Sequence, residues 1–107
     1  MILVRNYTKI GGIIMKIMAV CGSGLGSSFM LEMNVQQILS ELGLSGIEVE
    51  HTDLSSATPA DADVFIATKD IAEGMGHLGE VIVIDSIIDM DGIRVKLKGV
   101  LEQKGLL

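Results

Sequence analysis

Tryptophan is absent, and the aromatic residues amount to Phe29, Phe65 and Tyr7. Bases are scarce too, 8 Lys and Arg against 14 Asp and Glu, leaving a net charge of −6. A nucleic-acid binder needs a basic stripe and stacking aromatics, so that class is excluded. No apolar run reaches the ~20 residues that cross a bilayer, and no membrane-spanning helix is expected. The single cysteine, Cys21, rules out an internal disulfide and a CxxC redox site, and it suits a reducing compartment. One proline means few forced breaks.

What is present is aliphatic. Hydrophobic residues make up 49% of 107 positions, so with aromatics missing the core must be Ile, Leu, Val and Met. A chain this long buries roughly two-thirds of its unfolded surface in a single core. One domain over 15–107 is expected, preceded by an extension, 1–14. That segment has only Arg5 and Lys9 as bases and no cleavage pattern, so it does not read as a signal peptide. Lys9–Met15 back-translates to a stretch containing GGAGG just before ATG. Met15 is therefore expected to be the biological start.

From Met15 onward, apolar strands alternate with helical stretches. Met15–Val20 is a near-continuous apolar run ending at Cys-Gly, the pattern of a strand buried on both faces. Leu31, Val35, Ile38 and Leu42 fall on one helical face, with Ser27 or Ser28 as N-cap and Gly43 as the residue that ends the helix. Ile47–Thr52 alternates like an edge strand. Val64–Ala67 and Val81–Ile84 read as short strands, separated by a weak helical turn in TKDIAEGMG. Ile93, Leu97, Val100 and Leu101 mark a final helix, with Lys96, Lys98 and Lys104 toward its negative end. Such alternation requires crossovers over the face of a parallel sheet. The expectation is an α/β fold, Rossmann-like, with four parallel strands in order 2-1-3-4 and helices on both faces.

Chemistry concentrates in Cys21-Gly22-Ser23-Gly24-Leu25-Gly26-Ser27-Ser28, between the first strand and first helix. In open parallel sheets ligands bind at that end. Glycines let the backbone approach an anion closely, and successive N–H groups with a helix start suit a phosphate. The same positive field favours thiolate at Cys21, a nucleophile toward phosphorus. Other glycine loops fit less well. A Walker loop needs a Gly-Lys-Ser/Thr step absent here, and the dinucleotide pattern G-x-G-x-x-G is replaced by G-x-G-x-G at Gly22, Gly24 and Gly26. A Cys-x5-Arg phosphatase would carry arginine where Ser27 stands, and without it loses the bidentate phosphate clamp.

KIMAVCGSGLGSSFMLEMNV resembles the start of the IIB proteins of the bacterial sugar phosphotransferase system, in particular the ascorbate-type group of the ascorbate–galactitol class. The matching features are the apolar strand, Cys-Gly-x-Gly-x-Gly-Ser-Ser and the Met-rich helix with Met33 and Val35. DADVFIATKDIA is similar to the family's third strand and following loop. The resemblance implies a phosphocysteine relay, without cofactor or metal. A IIA phosphohistidine donates to Cys21, which passes the group to a sugar, ascorbate being one candidate, at the membrane protein IIC. It also implies a cytoplasmic protein transiently at the membrane through IIC. A regulatory phosphocysteine module and a phosphatase-like enzyme stay open as alternatives.

The remaining candidates are weaker. Thr68 and Lys69 end the third strand on the Cys21 side and are candidates for phosphate or partner contact. Met30 and Met33 read first as core filler, with Met30 also a candidate partner contact. His51 lies on the apolar phase of the edge strand and reads as structural, and His77 as a loop residue. Asp85, Asp89 and Asp91 read as a turn and helix-start cluster.

Overall fold

The computed structural model describes residues 15–22 and 26–107. The extension 1–14 and the loop residues Ser23, Gly24 and Leu25 lie outside the described residues, as does the expectation that Met15 is the start.

Four strands form one parallel sheet in the order β2-β1-β3-β4: β1 (Met15–Cys21), β2 (Ile47–Asp53), β3 (Val64–Thr68) and β4 (Val81–Ile84). Order and direction are those the alternating pattern predicts. β1 pairs on both sides, which is why its side chains run apolar almost without interruption. β2 is an edge strand and alternates. In register, Cys21 lies opposite Asp53 and Ala19 opposite His51.

The two faces of the sheet are covered unequally. On one face α1 (Gly26–Glu41) and α3 (Met90–Gln103) pack Leu31, Val35, Ile38, Ile93, Leu97 and Leu101 against Ile17, Ala19, Ile66 and Ile84. On the other, Met18, Val20, Phe65 and Ala67 are covered by the short helix α2 (Lys69–Ala72), two 3-10 turns (Leu54–Ser56, Pro59–Asp61), and Met75 and Leu78 from the following loop. Helices thus flank both faces, but the second layer is thin. Alternation of side chains along the strands divides the core into these two clusters.

Local chemistry sets the ends of the elements. Gly43 sits at φ 74°, and the N–H groups of Gly43 and Leu44 donate to the carbonyls of Ser40 and Leu39 at 3.0 Å each. That double bond is the stop in which only glycine is comfortable. Pro59, the chain's single proline, occupies the first turn of its 3-10 segment behind Thr58, where a missing N–H costs nothing. Asp89 caps α3, accepting from the Gly92 N–H at 3.1 Å.

Two local expectations are corrected. α1 begins at Gly26, so Ser27 and Ser28 lie inside its first turn and do not cap it. Lys96 on α3 serves the sheet edge and not the helix end, its Nζ donating to the Val83 carbonyl at 2.8 Å, while Lys104, which caps the C-terminal end of α3, pairs with Glu80 at 2.9 Å.

Candidate functional site

β1 delivers Cys21 to the carboxyl end of the sheet, where it is only 6% exposed yet lines a cleft of about 380 Å³. Four chain segments build the walls. β1 and its continuation supply Val20, Cys21 and Gly22; the first turns of α1 supply Ser27, Ser28 and Leu31. Thr68, Asp70 and Ile71 come from the end of β3 and α2, and Asp85, Ser86 and Ile87 from the loop after β4.

Each wall has a reason for its position. Leu31 is buried in the larger core and anchors the first turns of α1, which places Ser28 inside, 1% exposed, and Ser27 outside. The N-terminal turn carries no acidic side chain, so the partial positive charge of the helix start is unopposed within that turn. Gly22 approaches α2 so closely that a Cβ there would lie 2.9 Å from Ile71 Cδ1. The β4–α3 loop is tied across the cleft by Asn34 of α1, whose Nδ2 donates to the Ile87 carbonyl at 2.7 Å.

Charge around the cleft is one-sided. Asp70 and Asp85 contribute carboxylates, and no Lys, Arg or His lines it among the described residues. The Thr68 hydroxyl donates to Asp70 Oδ1 at 2.7 Å and holds that carboxyl below the ordinary aspartate value. At the end of β2, hydroxyl bonds from Ser55 and then Ser56 hold Asp53 low in the same way. Both therefore remain anionic well into acid.

Of the residues singled out in the sequence, Cys21, Gly22, Ser27, Ser28 and Thr68 meet at the cleft. Gly26 opens α1 beside them. Lys69 is exposed at the start of α2 and is not among the cleft-lining residues. Met30 and Met33 are not core filler: they are 47% and 50% exposed, with Phe29 beside them at 50%. His51 is hydrogen-bonded from Nδ1 to the Glu32 carboxylate and meets the Phe29 ring edge-on, centroids 5.4 Å apart. It is a packed structural histidine, as the strand phase implied. His77 is exposed. Asp89 and Asp91 do start α3, but Asp85 belongs to the cleft. Asp70, Ile71, Ser86 and Ile87 were missed, and only their place just after strand ends could have suggested them.

A parallel α/β sheet with a cysteine at the end of its central strand, facing a helix start, defines a class that handles ligands at the strand-to-helix loop. Residues 16–99 match the family model described as PTS system, Lactose/Cellobiose specific IIB subunit, and the chain belongs to that family. It is a IIB component of a sugar phosphotransferase system, a phosphotransferase component that works with IIA and IIC partners. The ascorbate-type group is a different family, so the resemblance is borne out as far as a IIB component and corrected at the level of subclass. No curated protein matches the chain. None of the described helices is long and apolar enough to cross a membrane.

Proposed function

We propose that this IIB component carries the phosphoryl group on Cys21. The observation that supports the reading most strongly is the convergence of the Cys21 side chain and the Gly26–Ser28 turn of α1 on one cleft. A nucleophilic sulfur and an anion-stabilising helix start then face the same small volume. In the forward step the sulfur attacks phosphorus of a IIA phosphohistidine. The S–P bond forms as the N–P bond breaks, the electron pair returns to the ring, and imidazole leaves neutral with its other nitrogen protonated. Gly22, Ser23, Gly24, Leu25, Gly26, Ser27 and Ser28 are proposed to hold the phosphoryl oxygens through N–H and hydroxyl donors. Both linkages are activated, so the chain's task is positioning and charge stabilisation.

The onward step delivers the group to a sugar at IIC, which places the protein in the cytoplasm with transient membrane association through IIC. Sugar choice rests with IIC. The family description makes β-linked disaccharides such as lactose and cellobiose the first acceptors to test.

The test supplies phosphoenolpyruvate, the general phosphotransferase proteins and a series of IIA proteins. The chain is expected to gain the mass of one phosphoryl group, mapped to Cys21 and absent from Cys21→Ser. Label on His51 or His77, or label that survives Cys21→Ser, overturns the phosphocysteine assignment.

A further inference from the structure

Apolar packing holds α1 to the sheet without dictating where its first turn stands. Leu31, Val35 and Ile38 are buried in one cluster with Ile17 and Ala19 of β1, and such burial is non-directional, so it tolerates small slides and rolls of the helix. Group transfer does not, since a misplacement of about 1 Å can cost about 100-fold in rate. The directional contacts of α1 are therefore the informative ones. Residues two apart on a helix leave it on nearly opposite sides. On one side Asn34 Nδ2 donates to the Ile87 carbonyl at 2.7 Å. On the other the Glu32 carboxylate is hydrogen-bonded to His51 Nδ1, and Phe29 meets the same ring edge-on. The Glu32 and His51 side chains are largely withdrawn from water, 15% and 28% exposed. An ionised carboxylate only accepts, so Nδ1 is the donor. His51 shares a sheet face with Cys21: its register partner is Ala19, and Asp53, the next residue of β2 on that face, pairs with Cys21. Glu32 lies one turn after Ser28, which lines the cleft. The pair thus links the strand beside β1 to the helix turn that shares a cleft with the sulfur.

We propose that Glu32 and His51 are a positioning pair for phosphoryl transfer, their hydrogen bond setting the height and rotation of the α1 start over Cys21. This inference rests on the phosphocysteine reading. Neither residue touches the group being transferred. His51, fixed in β2, is the post; Glu32 and Phe29, three residues apart on one side of α1, hold it at two points and so oppose rolling as well as sliding. The donors of the first turn of α1 then stand where the phosphoryl oxygens arrive, with no reorganisation left for the moment of transfer. For stability the pair matters less. Replacing a partly buried ion pair by apolar side chains of similar volume is often neutral or stabilising. Rate and melting temperature are therefore expected to respond differently when the pair is broken.

The experiment follows single-turnover transfer to Cys21 from whichever phosphorylated IIA protein labels the wild type. Glu32→Met keeps the volume and helix propensity of the site and removes the acceptor. It is expected to lower the maximal rate about tenfold or more, with the half-saturating donor concentration within about twofold and the melting temperature not reduced. His51→Ala should lose rate equally. His51→Asn, whose Nδ2 takes the place of Nδ1 as donor, should stay within about threefold of wild type. Should Glu32→Met melt low, the two His51 variants decide. A wild-type maximal rate in Glu32→Met overturns the pair, and equal losses in His51→Asn and His51→Ala overturn the hydrogen bond as the positioning contact. Amide exchange reads the tether without a donor: in Glu32→Met the N–H groups of residues 30–33 should exchange about fivefold faster or more, with α3 unchanged. Unaltered exchange in α1 overturns the tether. If no IIA labels wild-type Cys21, the functional reading falls and takes this inference with it; if labelling succeeds and the rates stay level, only the positioning pair is wrong.

Discussion

Arg94 of α3 reaches the end of α1, its Nη2 donating to Glu41 Oε1 at 2.8 Å while Nη1 bonds Asp91 at 2.9 Å. The pair ties together the two helices that cover the thicker face of the sheet. The guanidinium, helped by Gln37, holds the Glu41 carboxyl below its ordinary 4.5. A depressed carboxylate contributes stability that is present above the unfolded value and lost as pH falls through the folded one. Arg94→Met should therefore lower the melting temperature at neutral pH by a small amount, as solvent-exposed pairs do. The difference from wild type should close as pH drops below 4.5. A gap that stays constant down to strongly acid pH would assign the loss to packing of the arginine stem.

Gly22 and Ile71 come within van der Waals conflict if the glycine gains a side chain, with 2.9 Å to Cδ1. Gly22→Val should cost about 1–3 kcal/mol by overpacking. It should also slow labelling of Cys21 more than that loss explains. Because the clash is with one flexible side chain, Ile71→Ala in the same chain should recover part of the stability, a coupling readable in a double-mutant cycle of denaturant melts. Additive losses would place the strain elsewhere.

Asp89 accepts from the Gly92 N–H at the start of α3, and a Cβ at Gly92 would collide with its carboxylate. Asp89→Ala should destabilise by about 1 kcal/mol, the usual cost of a lost N-cap. Gly92→Ala should not bring the usual helix-propensity gain, because the added methyl displaces the cap. Urea denaturation of both variants checks this, and a clear stabilisation by Gly92→Ala would show that the capping carboxylate moves aside.

Removal of residues 1–14 should leave the melting temperature unchanged. β1 opens at Met15, which is 2% exposed and whose N–H donates to the Gly46 carbonyl at 3.3 Å. A fall of many degrees would make the extension part of the fold.

What the sequence made legible was local. Gly43 announced a helix end because one glycine at positive φ satisfies two carbonyls. Val81–Ile84 read as a strand because its apolar run is short and bounded. The cleft was legible only in its first half, where Cys21 and the α1 turn are close in the chain. Asp70, Asp85 and Ile87 arrive from separate strand ends, and only the 2-1-3-4 order brings them to Cys21. The methionines were misread for a different reason. Leu31, Val35 and Ile38 set the buried phase of α1, and that phase turns Met30 and Met33 outward, although their composition suits a core. Lysine direction on α3 was likewise unreadable, since the Val83 and Glu80 oxygens belong to other parts of the sheet edge.

The unequal covering of the sheet gives the cleft one fixed jaw and one compliant jaw. Cys21 ends a strand paired on both sides, and α1 stands on the deep core, so sulfur and helix start hold still together. Thr68, Asp70 and Ile71 stand on the thin layer, where a four-residue helix and loops cover Phe65 and Val20. Amide hydrogen exchange should be fastest in that layer and slowest along β1. On the proposed phosphocysteine reading, a carrier that accepts a group from one protein and surrenders it to another can then widen its mouth for each visitor without moving the sulfur.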